Sequence, residues 1–197
     1  MNTRKSFDTS KLVMLAMLTT IVVVLQLLAS YFPIYPFRLT LVLMPIVIGA
    51  ALLGKAAGAW LGFVFGFVVL IADATVPIFL QFNAPAAILV ILGRGAATGL
   101  AAAVVYKALE NRGKTVAVIS AALIAPIVNT GLFILGLYAF FLPLISDWAV
   151  GFSNVTTFIF FGMVGINFIF EFAVNLVLSP TIVRLIQYRR STRAQMG

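Results

Sequence analysis

Few side chains in this 197-residue chain can do chemistry away from water: Arg94, Glu171 and the amides Asn129, Asn167 and Asn175. His and Cys are absent, which removes the commonest general base, imidazole and thiolate metal ligands, and disulfides. The five carboxylates, Asp8, Asp73, Glu110, Asp147 and Glu171, are too scattered for a paired-carboxylate or metal cluster to follow from their spacing. No glycine-rich phosphate loop of the GxxxxGK[ST] type occurs. What remains is recognition rather than catalysis. A guanidinium offers a planar fork to a carboxylate, and amides both donate and accept hydrogen bonds. An enzyme is not expected, nor a metal or cofactor held by this chain.

The elements that must position these groups are apolar. The chain is 63% hydrophobic and 9% charged, with a mean hydropathy of +1.17, more apolar surface than one soluble core of this size can hide. It reads as an all-α integral membrane protein, one membrane domain over residues 1–197, with six transmembrane helices at about 12–29, 41–53, 56–72, 85–109, 116–141 and 155–187. The first run follows Arg4, Lys5 and Lys11, as a signal peptide does, but no small-x-small cleavage site follows and it is read as helix 1. The second run, about 20 Å of helix, contains Pro45 and is short for a span.

Six spans would place 11 of the 13 Lys and Arg residues on one face. The basic residues are therefore topology signals rather than a nucleic-acid surface, and both termini are expected on the cytoplasmic side of the cell membrane.

Arg94 lies about nine residues, roughly 13 Å, inside the fourth helix, where a charge costs about 2.5–3.5 kcal/mol on insertion scales. Two compensations stand open: an ion pair with Glu171 that fixes helix packing, or a cavity in which Arg94 meets an anionic ligand. Asn129, Asn167 and Glu171 concentrate the polar content on helices 4 to 6, so a pocket is expected in the second half, with helices 1 to 3 almost purely apolar. Tyr35, Phe37 and Asn83 in the outward connections complete the candidate ligand contacts; the aromatics read equally as interface anchors, and the Pro-rich first connection as a lid. Gly54, Gly58, Gly62 and Gly66, with Gly95 and Gly99, mark either close helix packing or a surface along which a partner slides.

The stretches FPIYPFRLTLVLMPIVIGAALLGKAAGAWLGFVFG (residues 32–66) and PIVNTGLFILG (126–136), in a six-span layout with a short Pro-containing second helix, resemble the S-components of energy-coupling-factor (ECF) vitamin transporters. The resemblance covers nearly the whole chain in layout. It implies a subunit that binds a vitamin from outside, while a transmembrane coupling protein and two ATPase subunits use ATP to drive release inside. It also implies docking through an Ala-x-x-x-Ala pattern on helix 1, represented here by Ala16 and Thr20, whose second position departs from the pattern. Pantothenate-type members are the most similar, with riboflavin the nearest competitor and other vitamins behind it. A stand-alone transporter coupled to protons through Glu171 is the rival class.

Overall fold

The computed structural model describes residues 9–31 and 41–195. In chain order these form α1 (Thr9–Tyr31), α2 (Leu43–Leu53), α3 (Lys55–Ala72), α4 (Val76–Leu109), a 3₁₀ turn (Glu110–Arg112), α5 (Lys114–Phe140), α6 (Leu142–Trp148), α7 (Val155–Thr157), a π-helical turn (Phe158–Val164) and α8 (Gly165–Gln195). No strand occurs among the described residues. The architecture is the expected all-helical membrane bundle.

Not every one of the six expected spans is long enough to cross a bilayer by itself. Among the described residues four helices, α1, α3, α4 with its following turn, and α5, are long and apolar enough to cross a bilayer. A fifth crossing needs the pair Val155–Val164 and Asn167–Pro180, which meet at a 44° bend. The remaining helix, α2, has 11 residues, about 16 Å against a hydrocarbon core of ~30 Å. Its residues are apolar nearly all round, and Leu43, Ile46, Val47 and Ala50 are buried. Such a helix belongs inside a bundle rather than against lipid, and α2 packs on α1, α3, α4, α5 and α8.

The tightest joint is between α3 and α4. A Cβ at Gly58 would strike the carbonyl oxygen of Gly99, one at Gly62 that of Gly95, and one at Gly66 that of Ile91. Gly58, Gly62 and Gly66 therefore interlock with the Gly95 and Gly99 face of α4 as close helix packing, while a Cβ at Gly54 would meet nothing within 4 Å.

Two expected connections contain helix: residues 142–154 hold α6, and residues 73–83 hold the start of α4. The latter helix breaks at Asn83 (φ −155°, ψ 88°). Pro85 has no N–H to continue the ladder, and the Asn83 side-chain oxygen accepts from the Ala86 N–H at 3.2 Å, an N-cap that restarts the helix. The last helix, expected over about 155–187 with a tilt or a break near Pro180, is wound as a π turn over Phe158–Val164 and bends there, before Asn167.

Two apolar clusters organise the interior. One joins α2 to Leu18 and Val22 of α1, Leu61 and Phe65 of α3, Tyr106 of α4 and Ile182 of α8. The other gathers Phe79, Ala87, Leu137, Phe141, Ile145 and Ile159 around the opposite end. A space remains between them.

Candidate functional site

That space is a cavity of about 250 Å³. It draws Phe65, Val69 and Ile91 from the first cluster and Phe79, Leu137 and Phe141 from the second, while α2 contributes no side chain to it.

Packing aims the polar side chains into it. Because Gly95 is pressed against Gly62, Arg94, rotated by about 100° on the same helix, turns away from α3 and into the cavity. Its guanidinium carbon sits 4.6 Å from the centroid of the Phe133 ring on α5, a cation–π contact. Its Nε is buried and has no hydrogen-bond partner among the described residues. The carboxylates of Glu171 and Asp73 both attract its charge. Asp73 also closes the turn between α3 and α4, where its Oδ1 accepts from the Thr75 N–H at 2.8 Å and hydroxyl at 2.7 Å.

On α8, Asn167 and Glu171 are one turn apart and both line the cavity; Asn175, one turn further, is buried beyond it and donates from Nδ2 to the Glu171 backbone oxygen at 2.8 Å. On α5, Asn129 is 6% exposed, lines the cavity, and its Oδ1 has no partner among the described residues. The π turn brings Met163 and Val164 to the wall. At the other end, Phe79 meets Phe141 and Trp148 edge to face, with ring centroids 5.1 Å and 5.8 Å away.

Arg94, Asn129, Asn167 and Glu171, singled out from sequence, thus share one cavity. Asn83 does not line it and serves the helix break instead. Tyr35 and Phe37, with the expected lid, lie outside the described residues. Ala16 and Thr20 are exposed one turn apart on α1, away from the cavity, with the Thr20 hydroxyl donating to the Ala16 carbonyl at 3.1 Å.

The expectation of a pocket confined to helices 4 to 6 is corrected: α1 supplies Gln26 and Ser30, and α3 supplies Phe65 and Val69. Gln26 is 4% exposed, and its amide Oε1 has no partner among the described residues. The signal was present, since a glutamine within the otherwise apolar VVVLQLLA run needs a partner for its amide.

Among the described residues no group of His, Cys, Asp and Glu is arranged to hold a metal ion. The arrangement is suited to holding a small molecule through one cation, several amides and aromatic walls. No curated protein and no solved structure matches the chain. The family model described as ECF transporter, substrate-specific component, matches residues 10–183, from the first turn of α1 into α8, and the chain belongs to that family of transporter subunits, which are not enzymes.

Proposed function

We propose that the cavity around Arg94 is the substrate site and that the substrate is a small vitamin acid, pantothenate. The observation that carries this reading is the buried Nε of Arg94, without a hydrogen-bond partner among the described residues, at the wall of the cavity. A guanidinium held against a ring face keeps its N–H edge for an in-plane acceptor. A volume of about 250 Å³ falls just below the roughly 300–1,000 Å³ of sites for drug-sized ligands, which favours a compact, flexible acid over the fused rings of riboflavin. Asn129 and Asn167 suit its hydroxyl and amide groups.

In this reading the chain binds its ligand from outside, with both termini cytoplasmic. A coupling protein docks on the α1 face carrying Ala16 and Thr20, and two ATPase subunits supply the energy.

A second reading has its own observation. Asp73, Glu171 and the rings of Phe79, Phe133, Phe141 and Trp148 all line the same cavity, a combination that suits a cationic heterocycle such as thiamine.

Calorimetric titration of the purified chain with pantothenate, riboflavin and thiamine decides between them. Saturable binding of pantothenate alone supports the first reading, and binding of thiamine alone replaces it with the second. Proteoliposomes holding only this chain should bind without accumulating substrate; uptake driven by a pH gradient would overturn the assignment to an ATP-driven importer.

A further inference from the structure

The cavity holds a second set of unmet hydrogen bonds on the elements that flank Arg94. Gln26 on α1 and Asn129 on α5 are each more than nine-tenths buried, both line the cavity, and in each the atom left without a partner among the described residues is the amide oxygen. For Gln26 the reason is local: its Nε2 donates to Ser30 Oγ one turn away at 3.2 Å, which ties down the nitrogen and leaves Oε1 as the free end. A buried acceptor without a donor costs about 1–3 kcal/mol, and two facing one cavity call for the same remedy.

We infer that Gln26 is a specificity-determining residue that, with Asn129, accepts hydrogen bonds from two donor groups of the substrate, so that α1 reads the hydroxyl or amide N–H end while Arg94 holds the acceptor end. This rests on the reading of the cavity as the substrate site. The ligand class it defines carries an acidic or acceptor group at one end and at least two O–H or N–H donors displaced from it. It also gives α1 a part in recognition, so a ligand that satisfies Gln26 links α1 to α4, α5 and α8 across the cavity.

The test is calorimetry on the purified full chain with two probes, pantothenate and pantothenol, the alcohol in which the carboxylate is replaced by a hydroxymethyl group and the other donors are retained. Gln26→Met, of similar length and without amide atoms, is expected to weaken both probes by the same factor, about 10-fold, while the preference of the chain for pantothenate over pantothenol stays at its wild-type value. The melting temperature of the unliganded variant is expected to equal or exceed that of the wild type, since an unpaired acceptor has been removed. Gln26→Leu serves in its place if the methionine variant does not fold.

Wild-type affinity for both probes in a folded variant overturns the inference. So does a loss of pantothenate binding alone, which would place Gln26 at the acid end. If the wild-type chain binds neither probe, the substrate assignment fails separately. Gln26 is then judged by mass spectrometry of the small molecules retained by wild-type and variant chains purified in parallel: loss from the variant upholds the inference, and equal recovery ends it.

Discussion

Arg94 lies over the ring of Phe133, with its guanidinium carbon 4.6 Å from the ring centre. The contact spans α4 and α5 and solves a problem of orientation: a long, charged side chain at this depth has many rotamers, and a ring face restricts it to those that point its N–H edge into the cavity. Phe133 itself is held edge-on by Phe79, 6.5 Å away between centroids.

Replacing Phe133 by Leu keeps an apolar wall and removes the π face. Substrate affinity is expected to fall several-fold, in keeping with about 0.5–1 kcal/mol for such a contact, with the loss confined to probes bearing an acidic group. Calorimetry with pantothenate and pantothenol checks this.

The α3–α4 joint sets where Arg94 points. Gly95→Val or Gly62→Val drives a side chain into backbone on the opposite helix and is expected to lower stability by about 1–3 kcal/mol or more. Gly93→Ala, two residues away and facing open space, is expected to be neutral or stabilising, because alanine favours a helix over glycine by about 1 kcal/mol. Thermal unfolding in detergent of the two valine variants and this alanine variant separates the packed from the open face.

Asn83 belongs to the helix break. Asn83→Ala removes the oxygen that caps Ala86 and is expected to cost about 1 kcal/mol of stability while leaving substrate affinity at the wild-type value in the folded fraction. A melting curve and a titration on the same sample test both halves.

How far the sequence carried these features follows from their physics. Arg94, Glu171, Asn129 and Asn167 stand out because a polar group within an apolar run needs compensation wherever it occurs. The glycine spacing marked a smooth helix face because small residues let backbones approach, while leaving open what lies against it. Gln26 was passed over because one amide barely alters the average of a 23-residue apolar helix, although its individual cost is that of any buried amide. The internal position of α2 depends on neighbours from five other helices, a tertiary fact that an 11-residue segment does not encode by itself. The π turn before Gly165 has no local pattern of its own; the Cβ that Gly165 lacks would collide with the Phe160 carbonyl oxygen, a fit visible only once the turn is wound.

The site stands or falls on whether Arg94 meets a ligand. Titration of pantothenate into the purified Arg94→Gln chain, with folding verified by its melting temperature, measures this directly. Affinity is expected to drop by roughly 10- to 150-fold, the equivalent of about 1.5–3 kcal/mol for a hydrogen bond to a charged group. A folded Arg94→Gln chain that binds pantothenate as tightly as the wild type would contradict it and reduce Arg94 to a packing residue.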